Sequence, residues 1–179
     1  DPLHFLTHLE PVYETIATVK SRLEADVALI GFAGAPWTLA TYLIEGRGGS
    51  DFANAKRRAL AEPAAFAYLI DVLVEATVLH LVRQLDAGAD AVQIFDSWAG
   101  VLSETEFRKW VITPSGEIVR RVREAKPGAK IIGFPRGAGP LYIDFALDTG
   151  VDAVSLDSAV PLAWVATGLQ GRVAVQGNL

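Results

Sequence analysis

The sequence GFAGAPWTLATYLIEGRGGS, residues 31–50, follows an apolar run and decides how the rest of the chain is interpreted. The run that enters it, residues 27–33, is aliphatic and β-branched, which predicts a buried β-strand. Glycines and Pro36 then end the strand and turn the chain. Trp37 and Tyr42 follow at once, and each is a large side chain with one polar group. Aromatic residues and glycines just past the carboxyl end of a buried strand predict a binding site in an α/β fold.

Further apolar runs have the same form, and each is followed by a loop and then by a predicted helix or the end of the chain. The predicted strands are residues 27–33, 91–97, 130–134, 153–158 and 173–179. Their residues are apolar almost throughout, so we expect both faces of each strand to be buried, as in a parallel sheet. The crossovers between them are expected to be right-handed.

Two architectures are built from repeated strand–helix units: the doubly wound sheet and the (β/α)8 barrel. No Gly-x-Gly-x-x-Gly follows the first strand, which disfavours a dinucleotide-binding fold. Polar or aromatic residues at the carboxyl end of each strand favour the barrel. Because a barrel needs eight strands, the predicted fold class is α/β, an incomplete (β/α)8 TIM barrel with five parallel strands of the eight. Residues 1–179 are expected to be part of a single barrel domain whose amino-terminal and carboxyl-terminal portions lie outside this chain.

Prolines and capping residues predict where helices begin and end. Ser50 is expected to cap a helix over residues 51–61. A wide apolar stripe over residues 63–88 predicts a crossover helix that covers the sheet. The Ser-x-x-Glu pattern at residues 103–106 is a capping box that opens another helix, and Thr-Pro at residues 113–114 is expected to break that helix and cap its continuation.

Composition excludes several classes of protein. A formal net charge of −5 argues against a general nucleic-acid binder, which would present a basic face. The chain has no cysteine, which excludes disulfides, thiolate nucleophiles and cysteine-ligated metals. No apolar run approaches the ~20 residues of a membrane span, and the first residues lack the pattern of a secretory signal, so a cytoplasmic protein with no membrane partner is expected. His4 and His8 have a spacing that can ligate a metal, but a surface or hydrogen-bonded pair is the expected alternative.

Residues 31–50 also resemble, nearly residue for residue, the corresponding stretch of the uroporphyrinogen decarboxylase family of tetrapyrrole biosynthesis. Gln-Ile-Phe-Asp-Ser-Trp-Ala-Gly at residues 93–100 and Gln-Gly-Asn-Leu at residues 176–179 extend the resemblance over almost the whole chain. In the family, the five strands would be barrel strands three to seven. The resemblance implies that the acetate carboxyl groups of uroporphyrinogen are removed to give coproporphyrinogen, with no metal and no organic cofactor. It also implies a small-molecule substrate and, for the intact enzyme, a homodimer.

Three residues match positions at which the family contacts its substrate. Tyr42 matches a substrate-binding tyrosine, Ser97 matches a substrate-binding serine, and Phe32 matches an aromatic residue that lines the cleft. A phenol can hydrogen-bond to a carboxylate while its ring packs against a pyrrole. From residue type alone, Tyr42 could equally pack a helix and Ser97 could equally form a turn.

Other candidates carry a charge. Arg136 lies between Pro135 and Gly137, where glycine amides and a guanidinium could hold a substrate anion, and a salt bridge within the loop is the equal alternative. Arg47 is open to the same two interpretations. Asp96 and Asp157 lie near strand ends and could be general acids or bases if their pKa values were shifted. Such aspartates more often accept hydrogen bonds from neighbouring backbone amides.

The resemblance assigns no catalytic residue in this chain. The family's arginine-rich motif, its central aspartate and its carboxyl-terminal histidine have no counterpart in these residues, so the chain alone is expected to be inactive. Two other functions remain open. One is a corrinoid-dependent methyltransferase of the same superfamily, which would use zinc. The other is a phosphate-binding barrel module that uses the glycine loops near residues 46 and 133.

Overall fold

The computed structural model of the chain describes residues 2–46 and 51–177. Five parallel strands in these residues form one sheet in sequential order. Their bounds are β1 Ile30–Gly34, β2 Ala91–Asp96, β3 Ile131–Pro135, β4 Ala153–Ser155 and β5 Ala174–Gln176. The predicted fold class is confirmed, because the sheet is the one expected of part of a (β/α)8 barrel wall.

Helices precede β1 and connect each strand to the next. Their bounds are α1 Pro2–His8, α2 Glu10–Lys20, α3 Pro36–Glu45, α4 Ala53–Ala61, α5 Pro63–Asp86, α6 Glu104–Phe107, α7 Thr113–Ala125, α8 Tyr142–Thr149 and α9 Leu162–Gly168. Short 3-10 turns lie at Ala99–Val101 and Gly139–Leu141. The strand–helix repeat expected from the sequence is therefore present along the described residues.

The predicted crossover helix is α5, and its buried face follows the apolar stripe. The helix packs against α7, α3 and β1. Its buried residues are Phe66, Ile70, Val74, Thr77, Val78, Leu81 and Gln84. By length and hydropathy alone α5 could also cross a membrane, a property that the core helices of many proteins share. The sequence analysis missed this because Asp71 and Glu75 interrupt the apolar run.

Burial on both faces is confirmed for β2 but is wrong for β1. In β1 burial alternates, with Gly31 and Ala33 buried while Ile30 is 43% and Phe32 is 63% exposed. The exposed residues share one face, because successive side chains of a strand point to opposite sides. The five described strands do not close around that face, so it remains open to solvent.

Apart from the third, which keeps its length and is shifted by one residue, the predicted strands are longer than the observed ones. The first begins at Ile30 instead of residue 27, and the fourth ends at Ser155 instead of residue 158. The fourth strand ends there because Asp157 turns the chain: its carboxylate accepts hydrogen bonds from the amides of Gly137 and Ala159. The fifth strand ends at Gln176, and residues 178–179 of the quoted motif lie outside the described residues.

The capping-box prediction at residues 103–106 is wrong. Ser103 is the N-cap of α6, but its side chain makes no capping hydrogen bond. Glu106 does not reach back to it, because its Oε2 accepts a 2.5 Å hydrogen bond from Trp110 Nε1. The Glu106 carboxylate, which the pattern assigns to the cap, therefore binds the buried indole of Trp110 instead.

The break predicted at Thr113-Pro114 is also absent. A wide π-helical turn, Arg108–Ile112, instead joins α6 to α7 without interruption. Proline lacks an amide proton and clashes with the carbonyl four residues before it in a regular helix, and a wider turn relieves both problems. Thr113 Oγ1 donates a 3.0 Å hydrogen bond to the Arg108 carbonyl and so supports the wide turn.

The helix predicted over residues 51–61 is confirmed as α4, although its capping differs. Ser50, the predicted cap, lies outside the described residues. Glu45, at the end of α3, accepts hydrogen bonds from the Ala55 amide and the Asn54 side chain at 2.9 and 3.0 Å. These hydrogen bonds lower the pKa of Glu45, and its negative charge lies at the amino end of α4, where it is favourable.

We expect Gly133→Ala to destabilise the fold. A methyl group on Gly133 in β3 would overlap the ring of buried Phe145 in α8. Overpacking of this kind costs about 1–3 kcal/mol in the free energy of unfolding. Urea denaturation measures the loss, with Gly177→Ala as the control because a methyl group there meets open space. Equal stability of the two variants would contradict the packing between β3 and α8.

Candidate active site

A cleft of about 280 Å³ lies at the carboxyl ends of β1 and β2. The structure brings together in it Phe32, Tyr42 and Ser97, the three residues predicted to contact the substrate. Its lining is Phe32, Gly34, Thr38, Leu39, Tyr42, Phe95 and Ser97. The three residues therefore lie together at the carboxyl edge of the sheet, as expected, while the use of this cleft as a substrate site and the binding role of each residue stay predictions.

Helix α3 brings Tyr42 to the cleft. Pro36 fixes the first turn of α3, and the Ala35 amide before it donates a 2.8 Å hydrogen bond to the Phe95 carbonyl of β2. Thr38 and Tyr42 are four residues apart and so lie on the same face of the helix. The Tyr42 side chain is partly exposed, and its ring meets Trp98 edge-on with centroids 6.5 Å apart. The phenol is therefore accessible from the cleft.

Three phenylalanine rings form a row across the open face of the sheet. Phe32 meets Phe95 edge-on at 5.9 Å between centroids, and Phe95 meets Phe134 edge-on at 5.7 Å. Phe95 and Phe134 are direct partners in the pairing of β2 with β3. The sequence analysis missed both residues. The two-residue alternation of each strand could have indicated which aromatic residues share a face with Phe32, but only once the register was known.

Asp96 lies under the cleft and is 3% exposed. Its Oδ1 accepts a 2.6 Å hydrogen bond from Thr38 Oγ1, and that hydroxyl accepts a 3.3 Å hydrogen bond from the Trp98 amide. Burial raises the pKa of Asp96 to about 7, against the opposing effect of these hydrogen bonds. Such a pKa suits proton exchange near neutrality, but the carboxyl faces α3 and does not line the cleft. A general acid–base role therefore stays a prediction.

The pKa of Asp157 is shifted in the opposite direction to that of Asp96. Its carboxylate accepts hydrogen bonds of 2.8 and 2.9 Å from the Gly137 and Ala159 amides and one of 2.9 Å from the Tyr142 hydroxyl. Burial alone would raise the pKa of Asp157, but these hydrogen bonds and the nearby Arg136 charge lower it. The arrangement favours the backbone-binding interpretation over a general acid.

Arg136 lies at the same carboxyl edge, and its side chain is exposed. Among the residues that the structure describes, it makes no ion pair within 4 Å, so the loop salt bridge offered as its alternative is not observed. A second cleft of about 300 Å³ follows in this loop region, lined by Gly137, Gly139, Pro140, Asp157, Ala159, Val160, Pro161 and Trp164. Arg47, the other candidate arginine, lies outside the described residues.

The fold and the cleft define the class of protein: an α/β chain built as part of a (β/α)8 barrel, with a cleft where the strands end. The family model described as uroporphyrinogen decarboxylase (URO-D) matches residues 1–179, and the chain belongs to that family.

Curated relatives agree with the family assignment. The uroporphyrinogen decarboxylase of Rhodospirillum rubrum is 52% identical over 179 residues, which are 100% of this chain and 51% of that protein. The Chelativorans sp. protein of the same name is 52% identical over 100% of this chain and 52% of its own length. The Rhizorhabdus wittichii protein is 48% identical over 96% of this chain and 50% of its own length. The chain thus spans about half the length of the curated relatives it matches.

The pKa of Asp96 predicts how stability depends on pH. Since folding raises this pKa from 3.8 to about 7, the folded state favours the protonated form, and its contribution is lost as pH rises through about 7. We expect the free energy of unfolding to fall between about pH 4 and about pH 7 and to level off above that range, and Asp96→Asn to flatten that decline. Urea denaturation at a series of pH values measures both.

Asp157→Asn provides the matched control. Because the pKa of Asp157 is lowered, its contribution is lost only as pH falls in the acid range, so this variant should keep the decline near pH 7. If the stability of Asp96→Asn falls in parallel with that of the unsubstituted protein between about pH 4 and about pH 7, the raised pKa of Asp96 is contradicted.

Proposed function

We propose that the intact protein is a uroporphyrinogen decarboxylase, which removes the acetate carboxyl groups of uroporphyrinogen III to give coproporphyrinogen III. The observation that carries the proposal is the match of the family over all 179 residues of this chain. About half identity to relatives with that name supports it. The cleft supports it further, because hydroxyl groups and aromatic rings meet where a substrate with carboxylates and pyrroles would need them.

The hydroxyls of Tyr42 and Ser97 would hydrogen-bond to substrate carboxylates. Hydrogen bonds to charged groups are stronger than those between neutral groups, so two hydroxyls on neighbouring elements can orient an acetate arm. The Phe32 ring, exposed on the open face of β1, would pack against a pyrrole. Arg136 would add positive charge at the same edge of the sheet, where the substrate brings many carboxylates.

The chemistry needs no electron sink from the protein. When a pyrrole carbon is protonated, the bond between the acetate methylene and its carboxylate breaks, and the electron pair flows into the ring as carbon dioxide leaves. A proton then adds to the methylene carbon to give a methyl group, and the proton first added to the ring carbon leaves, which restores the pyrrole. The protein must supply the protons and neutralise the remaining carboxylates. We assign neither proton donor within this chain, which is why residues 1–179 alone are expected to be inactive.

The intact protein would act as a cytoplasmic homodimer, with neither nucleic acid nor membrane as a partner. The decisive assay incubates the full-length protein with uroporphyrinogen III under reducing anaerobic conditions and separates the products by their number of carboxyl groups. We expect coproporphyrinogen to form to the same extent with and without a chelator. Activity that chelation abolishes and zinc restores would favour the corrinoid methyltransferase branch. Saturable phosphate binding without turnover would favour a phosphate-binding module.

We expect Tyr42→Phe to lower kcat/KM of the full-length enzyme by about ten- to a hundredfold, because one hydrogen bond to a charged group contributes roughly 1.5–3 kcal/mol. Steady-state kinetics beside a thermal melt measures turnover and folding together. Tyr68→Phe is the matched control, since Tyr68 lies on α5 and is 73% exposed. If both variants keep the parental kcat/KM, Tyr42 only packs the helix.

A further inference from the structure

Strand β3 lies in the middle of the sheet, between β2 and β4, and the loop that follows it contains Arg136. A barrel strand outside this chain would pair with β1 or β5, so it would leave both neighbours of β3 unchanged. On the β2 side, the Arg136 amide donates a 3.1 Å hydrogen bond to the Asp96 carbonyl. The Arg136 carbonyl accepts a 3.0 Å hydrogen bond from the Gly100 amide. Both main-chain groups of Arg136 are therefore bound to the segment that carries Ser97.

On the β4 side, the same loop is held by the carboxylate of Asp157. The Gly137 amide donates a 2.8 Å hydrogen bond to Asp157 Oδ2. The Tyr142 hydroxyl donates a 2.9 Å hydrogen bond to the same oxygen, and the Ala159 amide donates one of 2.9 Å to Oδ1. Tyr142 is the first residue of α8 and is fully buried. Asp157 thus joins the loop after β3 to the interior of the protein.

The main chain of this loop has little room to move. Gly137 has a φ of 76°, a left-handed conformation that residues with a side chain rarely adopt. A methyl group on Gly100 would lie 2.6 Å from the Gly137 carbonyl oxygen, so the loops after β2 and β3 pack with their main chains in contact. The backbone of Arg136 is therefore closely held, while its side chain is exposed.

The Arg136 guanidinium lies near Asp157 without forming an ion pair with it. Burial would raise the pKa of Asp157, but its hydrogen bonds and the Arg136 charge lower it. Along the part of the chain that the structure describes, no carboxylate oxygen lies within 4 Å of this guanidinium. Three donors already occupy the Asp157 carboxylate, so it can hold the loop and leave the donors of Arg136 available to another anion.

We propose that Asp157 is a positioning residue for Arg136: through the Gly137 amide, it holds the loop from which the guanidinium reaches a carboxylate of the substrate. This inference rests on the proposed function, in which Arg136 offsets negative charge on uroporphyrinogen. Asp157 has the same charge as the substrate's carboxylates, so direct contact with them would oppose binding. Its favourable effect is exerted through the loop, and its loss should raise KM more than it lowers kcat.

The test measures KM and kcat for uroporphyrinogen in the full-length enzyme and in Arg136→Gln, Asp157→Asn and the double variant. Removal of a negative charge near an anionic substrate would by itself lower KM, whereas loss of positioning raises it. We expect Asp157→Asn to raise KM about three- to tenfold with kcat within about twofold, and Arg136→Gln to raise KM about tenfold. In the Arg136→Gln background, Asp157→Asn should change KM by less than about twofold, because the group that it positions is already absent.

Asp152→Asn is the matched control. Asp152 lies just before β4, and its Oδ2 accepts a 2.9 Å hydrogen bond from the Ile131 amide, so this carboxylate also joins β4 to β3. The contact is at the amino ends of these strands, away from Arg136. Asp152→Asn should lower stability in urea denaturation and keep the parental KM and kcat.

Tyr142→Phe tests the same role with the charge of Asp157 left in place. The substitution removes one donor to Asp157 Oδ2 and keeps the buried ring. We expect KM to rise about twofold, in the same direction as in Asp157→Asn. If Asp157→Asn fails to fold, an unchanged KM in Tyr142→Phe overturns the proposal.

Hydrogen exchange of the Gly137 amide proton separates the two proposals, because it needs no substrate. Exchange should become about tenfold faster in Asp157→Asn and stay at the parental rate in Asp152→Asn. If the unsubstituted enzyme does not decarboxylate uroporphyrinogen, the proposed function fails, and the exchange rate alone decides whether Asp157 holds the loop. If the enzyme is active but KM of Asp157→Asn stays at or below the parental value, the positioning role is overturned. Substitutions of Asp157 and Arg136 whose effects on KM simply multiply overturn it as well.

Discussion

Thr38 Oγ1 donates a 2.6 Å hydrogen bond to Asp96 Oδ1 in the interior of the protein, and the cleft depends on this contact. It joins the first turn of α3 to the carboxyl end of β2. Trp37 Nε1 adds a 3.0 Å hydrogen bond to the Trp98 carbonyl between the same two segments. Tyr42 lies one turn beyond Thr38, and Ser97 is the residue after Asp96. The spacing of the two candidate substrate-binding hydroxyls is therefore set beneath the cleft, by a buried polar contact that would be costly to leave unsatisfied.

Asp96 and Asp157 show that a position near a strand end does not determine the chemistry of a carboxyl group. Asp157 has two backbone amides and a tyrosine hydroxyl as donors and a nearby arginine, and its pKa is lowered. Asp96 is more deeply buried, and no positive charge among the described residues offsets that burial, so its pKa is raised to about 7. The sequence offers both residues equally as acids or bases. The two pKa values differ because of the number and charge of the hydrogen-bond donors around each carboxyl group. Those donors are brought there by the tertiary structure.

The order of the strands could be predicted from local patterns in the sequence, whereas the choice of Phe32, Tyr42 and Ser97 came from the family resemblance. Apolar runs mark parallel strands, and residues after such strands meet at one edge of the sheet. The capping by Glu45, the π-helical turn before Thr113 and the row of phenylalanines could not be predicted in this way. Each depends on which distant groups lie close in space: the α4 amides for Glu45, and the register of β2 with β3 for Phe95 and Phe134.

Helix α5 covers β1, so the two edge strands of the sheet differ in how many of their main-chain groups are free. A strand with free main-chain groups can template the addition of another chain and so begin aggregation. At Phe32 and Gly34 those groups are already occupied by Gln84 and Thr77. The far border, β5, is short and partly exposed, and its described pairing is with β4 alone. In a sample of residues 1–179 alone, self-association through strand addition would therefore proceed from β5, so mutations to improve the solubility of this piece belong on that strand and not on β1.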